Sequence, residues 1–265
     1  EPRILTMGDD TAAAGARGTV WVVLRGLSRE SGHWGVYPDH LLSELRALHP
    51  GCRLLPLDLP GTGELPRHPS PTQVSAIVDA CRAELRRRGQ QAPVSVIGMS
   101  LGAAVLTDWA NRYPAEIEAG VLINPSLRPF SELFRRPRPL NYLELLLLSL
   151  SRFSARLREE RVLRLTTRLT PAQAVIDHWV ELQRMHPLGV RNTARQLIAS
   201  MRYRASRTRP AAPMLLLCSK ADNLVDWRCS QAISRAWGAP LRLDTKAGHD
   251  LPLDAPQWVA RAVAE

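Results

Sequence analysis

Nothing in the chain restricts its fold more than the run Val94-Ser95-Val96-Ile97-Gly98-Met99-Ser100-Leu101-Gly102. Its apolar, β-branched first half reads as a buried strand, and Ala103 to Ala110 continues in a helical pattern. Between the two the chain turns at Gly-x-Ser-x-Gly. A turn that sharp holds Ser100 in a strained conformation with its hydroxyl exposed at the strand end. Gly98 and Gly102 suit the turn, because a Cβ at either position would collide as strand and helix pass each other. The competing reading is a glycine-rich helix start in which Ser100 is an ordinary capping residue.

A strand that runs into a helix in this way implies neighbours built alike, and the chain supplies them. Thr19 to Leu24 is a buried strand, and Trp34 to Leu48 a helix with Leu41, Leu42, Leu45 and Leu48 on one face, stopped by His49-Pro50-Gly51. Cys52 to Asp58 is a strand, Pro71 to Arg88 a helix, and Ala119 to Asn124 a strand. The alternation returns with a strand at Pro213 to Cys218, a helix at Cys229 to Trp237, a strand at Leu241 to Leu243 and a helix at Ala255 to Ala264. Arg3 to Met7 reads as one further edge strand. Short apolar strands alternating with helices predict an α/β fold, a mostly parallel sheet with helices on both faces.

Between Leu127 and Pro210 the alternation stops. That stretch shows only helical patterns rich in Leu and Arg, punctuated by Pro137, Pro139, Pro171 and Pro187. The expected organisation is therefore a core of residues 1–126 and 211–265 with a helical cap inserted at 127–210. An insertion there leaves from the carboxyl ends of the strands, where open α/β sheets bind ligands, and would lie over Ser100. A chain of 265 residues suits one large domain with such an insertion.

The charge lies in the same stretch. Residues 127–210 hold 17 Arg, no Lys and 6 Asp or Glu, a charge of +11, whereas the remainder holds 18 basic and 19 acidic residues, a charge of −1, so the whole excess of the net +10 lies in the insertion. Such a segment attracts acidic partners. No nucleic-acid reading motif accompanies it, which argues against a nucleic-acid binder. A general preference for Arg, 33 against 2 Lys in the chain, is the plainer cause. Leu140 to Leu150 is interrupted by Asn141 and Glu144 and is too short to span a bilayer. Cys52, Cys81, Cys218 and Cys229 form no C-x-x-C pair, and no basic-then-apolar leader opens the sequence. The expectation is a cytoplasmic protein without transmembrane segment, metal or cofactor.

The serine turn, the order of strands and the helical insertion together resemble the α/β-hydrolase family over essentially the whole chain. A serine hydroxyl is a poor nucleophile at neutral pH and needs a base, itself oriented by a carboxylate. The resemblance implies the chain order Ser, acid, His. Ser100 is then the nucleophile and His249, in Lys246-Ala247-Gly248-His249-Asp250 after the last strand, the base. For the acid, Asp222 stands at a position similar to the family's G-x-x-D, with Ser219 in place of the glycine, while Asp226 sits where the next helix should be capped. The oxyanion would meet the backbone N–H groups of Leu101 and Leu27, the latter in a loop where Arg25-Gly26 replaces the frequent His-Gly. Met99, Arg25 and His33 are candidates for the substrate pocket, with packing or capping the competing role for His33. Asp58, in Asp58-Leu59-Pro60-Gly61-Thr62-Gly63, reads as turn chemistry, and no Gly-Lys-Ser/Thr follows to make a P-loop.

The function these residues predict is cleavage of a carboxylic ester, or a thioester, through an acyl-enzyme. The Leu-rich run of the cap favours an apolar acyl or alcohol group, and its Arg-rich surface would suit an acidic acyl carrier. Two alternatives stand beside it. The same three residues serve cofactor-free lyases and perhydrolases, and the fold also serves non-catalytic ligand-binding proteins.

Overall fold

The structure, a computed structural model, describes residues 19–65, 68–130, 144, 147, 154–168, 173–187 and 189–265. Its centre is one sheet of six parallel strands: β1 (Val20–Leu24), β2 (Arg53–Leu57), β3 (Val94–Met99), β4 (Ile117–Ile123), β5 (Met214–Ser219) and β6 (Leu241–Asp244). The order across the sheet is β2-β1-β3-β4-β5-β6. Leu24 lies beside Gly98, Gly98 beside Leu122, and Ile123 beside Leu217, so the carboxyl ends of the central strands meet along one edge.

Alternation of side chains builds a core on each face. Val22, Leu24, Val96, Leu122 and Leu216 face one layer, where helices α2 (Val74–Arg87), α3 (Leu101–Arg112) and α7 (Arg228–Trp237) contribute Ile77, Val78, Leu106, Trp109 and Ile233. Trp21, Val23, Ile97, Ile123 and Leu217 face the other, which α1 (Tyr37–Leu48) and α9 (Pro256–Ala264) close with Tyr37, Leu41, Leu45 and Val259. Each of these fully buried side chains stabilises the fold by roughly 1.5–3 kcal/mol. They hold the carboxyl edge in place.

Helices α4 (Ala155–Thr166), α5 (Gln173–Met185) and α6 (Val190–Arg202) fall between β4 and β5. Among the described residues from 127 to 210 the sole β contact is one isolated bridge, Arg128 to Arg204. Leu127, Ala199 and Ala205 join the larger core, while Leu163, Trp179 and Leu182 form a small cluster of their own. The Leu-rich run of 140–150 lies outside the described residues apart from Glu144 and the exposed Leu147. No helix among the described residues is long and apolar enough to cross a membrane.

Some boundaries differ from expectation. The stretch expected as one helix from Trp34 divides into a 3-10 turn at Ser31–Trp34 and α1, because Gly35 takes φ +58 between them and Pro38 stands in the first turn of α1, where a missing N–H is harmless. Helix α2 begins at Val74 rather than Pro71, since Gln73 is still extended at φ −133 and ψ 134. A short helix α8 (Leu251–Asp254) precedes α9. The strand expected at Arg3 to Met7 lies outside the described residues.

Candidate active site

Strand β3 ends at Met99 and α3 begins at Leu101, leaving Ser100 between them at φ 54 and ψ −112. A non-glycine residue there carries strain on the order of 1–3 kcal/mol, so its surroundings must hold it. Ser100 N–H donates to the Ile123 carbonyl on β4 at 3.0 Å, and the Ser100 carbonyl accepts from Ala103 N–H at 3.0 Å. The side chain makes no capping hydrogen bond, which removes the capping-serine reading. Ser100 is partly exposed between buried neighbours.

The glycines around it mark close approaches. A Cβ on Gly98 would strike the Gly102 carbonyl, and one on Gly102 would lie 2.5 Å from the Leu24 carbonyl oxygen. A Cβ on Gly26 would lie 3.1 Å from the Ser100 Cβ and 3.6 Å from its Oγ. The loop after β1 therefore runs against the serine turn. Among the described residues neither the Leu27 nor the Leu101 N–H has an acceptor. For Leu101 the reason is general, because first-turn N–H groups have no partner inside their helix. Two free donors flanking a serine suit a developing oxyanion.

The base and acid expected from sequence do meet. His249 Nδ1 lies 2.7 Å from Asp222 Oδ2, with the two residues 5 % and 2 % exposed. Asp222 Oδ1 accepts from the Leu224 and Val225 N–H groups at 2.6 and 3.0 Å, which fixes the carboxylate. A carboxylate only accepts, so the ring proton sits on Nδ1 and Nε2 is left as the basic atom. Asp226 is occupied elsewhere: its Oδ1 accepts from Arg228 N–H at 2.9 Å, at the start of α7.

A residue that sequence reading passed over ties these loops together. Asn124 follows β4 at φ 46 and is 2 % exposed. Its Nδ2 donates to the His249 carbonyl at 2.8 Å and its Oδ1 accepts from Ser219 N–H at 2.9 Å. One side chain thus links the ends of β4 and β5 to the base loop. A polar residue between a buried apolar strand and Pro125 was the available signal.

Of the three residues expected around a substrate, Arg25 and Met99 are turned into the protein, while His33, 6 % exposed, lines a small cavity with Ser28, Glu30 and His186. Arg25 is 3 % exposed and makes a bidentate pair with Asp250, at 3.0 and 2.7 Å, over the ring of Trp34. Met99 is buried in the layer beneath α1 and α9. His33 packs edge-on to Trp179, ring centroids 5.0 Å apart. Arg29 Nη1 lies 2.9 Å from His33 Nε2, while Nδ1 accepts from Glu30 N–H at 3.1 Å and lies 3.3 Å from the Glu30 carbonyl. Burial first, then the charges of Arg29 and Arg25, push the His33 pKa well below its ordinary value. A charged group at a buried strand end has to find its partner within the protein, and Arg25, directly after β1, has done so.

Asp58 accepts from Ser31 N–H and Oγ–H, both at 2.7 Å, and from Glu64 N–H at 3.1 Å; a Cβ on Gly63, at φ +55, would enter its carboxylate. Among the described residues no three His, Cys, Asp or Glu side chains converge as metal ligands would. The four cysteines are buried and form no disulfide among the described residues, and burial pushes the thiols of Cys81 and Cys218 up to about 12, which leaves those two inert as nucleophiles.

A serine held at a strand-to-helix turn, on the edge of a parallel sheet covered on both faces, is the arrangement of α/β hydrolases. The profile of the alpha/beta hydrolase family matches residues 21–262, and the chain belongs to that family. It is similar to the "Putative carbamate hydrolase RutD" of Cronobacter turicensis, 29% identical over 245 residues that cover 90% of this chain and 86% of that protein. Among solved structures it resembles an esterase from Exiguobacterium antarcticum, with TM-score 0.74 and 12% identity over 93% of this chain and 90% of that one. A thermophilic esterase from Thermogutta terrifontis gives TM-score 0.69 and 17% identity over 93% and 88%. At these identities the structural likenesses show the fold alone.

Proposed function

We propose that the protein is a serine hydrolase that cleaves carboxylic esters through an acyl-enzyme. Ser100 Oγ attacks the acyl carbon as its proton passes to His249 Nε2, and the carbonyl oxygen becomes an oxyanion held by the Leu27 and Leu101 N–H groups. Collapse breaks the C–O bond, and the leaving alkoxide takes the proton from His249. Water, deprotonated by the same nitrogen, then attacks the acyl-enzyme and releases the acid and Ser100. Asp222 keeps the ring in the required tautomer and stabilises the imidazolium. The observation that carries this reading is the 2.7 Å bond between buried Asp222 and His249, at the sheet edge where Ser100 stands.

Residues 127–210 act in this reading as a cap. Support comes from α4, α5 and α6, which reach the loops of the carboxyl edge: Ser28 N–H donates to Gln196 Oε1 at 2.8 Å, Arg29 pairs with Glu159 at 2.7 Å, Asp250 N–H donates to the Thr166 carbonyl at 2.7 Å, and His178 Nε2 of α5 lies 3.1 Å from the Gly32 carbonyl. The similarity to the Cronobacter protein favours a second substrate class, carbamates, whose carbonyl would meet the same groups.

A fluorophosphonate probe and a chain-length series of p-nitrophenyl esters, with a carbamate in parallel, test the reading on wild type and Ser100→Ala. The expected result is label on Ser100 and a fall of about 10⁴-fold or more in kcat/KM for Ser100→Ala. Hydrolysis that survives Ser100→Ala overturns it, and a carbamate preferred over every ester moves the substrate class.

A further inference from the structure

The Arg25–Asp250 pair has no part in the chemistry just described, yet it joins the oxyanion loop, the serine turn and the base loop. Arg25 stands two residues before the Leu27 N–H. Its Nη1 lies 3.5 Å from Met99 Sδ, on the residue before Ser100, and 3.0 Å from Asp250 Oδ1. Nη2 completes the fork at 2.7 Å from Asp250 Oδ2, on the residue after His249. The partners are 225 residues apart in sequence, and each side chain is 3 % exposed. Trp34 covers the guanidinium, whose carbon lies 4.8 Å from the ring centroid.

Burying an ion pair of this kind is a poor route to stability, since well-packed apolar side chains of similar volume do as well or better. What a bidentate guanidinium–carboxylate contact supplies is geometry: two parallel bonds fix both distance and plane. We infer that Arg25 and Asp250 are positioning residues, and that their pair sets the oxyanion loop and the base loop at one spacing about Ser100. The inference rests on the serine-hydrolase reading. Asp250 N–H is also held by the Thr166 carbonyl at 2.7 Å, and the His249 carbonyl by Asn124 Nδ2 at 2.8 Å. With those two bonds in place, the Arg25 fork fixes the remaining freedom of the base loop relative to Leu27.

The pair acts on groups that matter most when the oxyanion forms, so its loss should lower kcat and leave KM nearly unchanged. The test compares wild type with Arg25→Met/Asp250→Leu, which removes both charges without stranding either, and with Arg25→Lys, which keeps the charge and loses the fork. Each is assayed for p-nitrophenyl ester kcat and KM and for inhibition by a trifluoromethyl ketone, whose hemiketal mimics the tetrahedral intermediate. Thermal melts establish that each variant is folded at the assay temperature. The double variant should lose about 10²-fold in kcat and a similar factor in inhibitor affinity, with KM within about twofold, and Arg25→Lys should fall between it and wild type. A folded double variant with the kcat and inhibitor affinity of wild type overturns the inference. If the double variant does not fold, Arg25→Lys decides: wild-type values there overturn it equally. Failure of the underlying reading looks different, because wild type itself would then form no adduct at Ser100.

Discussion

The sheet and its flanking helices are joined by apolar contact, whereas α4 to α6 meet the sheet's loops largely through charged and polar side chains. Trp109 and Ile77 on one face, and Tyr37 and Leu41 on the other, are almost without exposure. The loop from Ser28 to His33 instead holds the inserted helices by ionic and hydrogen-bonded contacts. Arg29 pairs with Glu159 of α4 at 2.7 Å and lies 4.3 Å from the ring centroid of Trp179 on α5, and Glu30 pairs with His186 at 2.8 Å. The difference teaches where each part of the candidate site gets its precision. Ser100, Asp222 and His249 are set by a packed sheet that deforms little. The insertion is set by the core contacts of Leu127 and Ala199, by neutral hydrogen bonds, and by the Arg29–Glu159 and Glu30–His186 pairs, whose strength depends on which groups are ionised.

Breaking the sheet side of this comparison should produce the largest effect. Asp222→Asn keeps the shape of the acid but lets its amide donate to His249 Nδ1, which favours the wrong tautomer. We expect kcat to fall by about 10³- to 10⁴-fold with KM little changed, read with p-nitrophenyl esters. The melting temperature should drop only modestly, because the amide oxygen can still accept from the Leu224 and Val225 N–H groups.

The insertion side breaks differently. Arg29→Met leaves Glu159, 3 % exposed, with only the longer 3.7 Å contact to Arg158 Nε to match its buried charge, which should destabilise by up to about 3 kcal/mol. Arg29→Met/Glu159→Leu removes both charges and should recover most of that loss. Thermal melts of the two variants measure the difference. Equal destabilisation in both would mean that packing around Trp179, rather than the ion pair, joins α4 to the core.

The same contrast explains what could be read from the sequence. Apolar periodicity announces a buried strand wherever it occurs, so the six strands and the serine turn were legible in runs such as Val94 to Ile97. The meeting of Asp222 with His249 followed from resemblance and loop order, not from pattern. The partners of Asn124, Arg25 and Asp250 were not legible, because they lie 125 and 225 residues away and a buried polar side chain leaves no period in the sequence. Arg25 did carry a clue. A charge directly after Val20 to Leu24 has to be paired once it is buried, although nothing in the sequence says with what.

The mildest test concerns the sign of pH dependence on the two sides. Burial, its largest influence, raises the Glu30 pKa above its ordinary 4.5, against the opposing pull of His186. The folded state therefore binds a proton more tightly than the unfolded one. That contribution to stability is complete below pH 4.5 and is lost as pH rises through the raised value. Glu84 on α2 behaves in the opposite way: hydrogen bonds from Arg87 and Arg88 lower it to about 2, so its contribution is present above pH 4.5 and lost as pH falls towards 2. Melts of Glu30→Gln should approach and then pass wild type as pH is raised from 4.5 to 7. Melts of Glu84→Gln should fall behind wild type as pH is raised from 3 to 5. Curves of the same sign for both variants would mean that the Glu30–His186 pair outweighs the desolvation of Glu30, and that the insertion is fastened by charge as firmly as the outer face of α2.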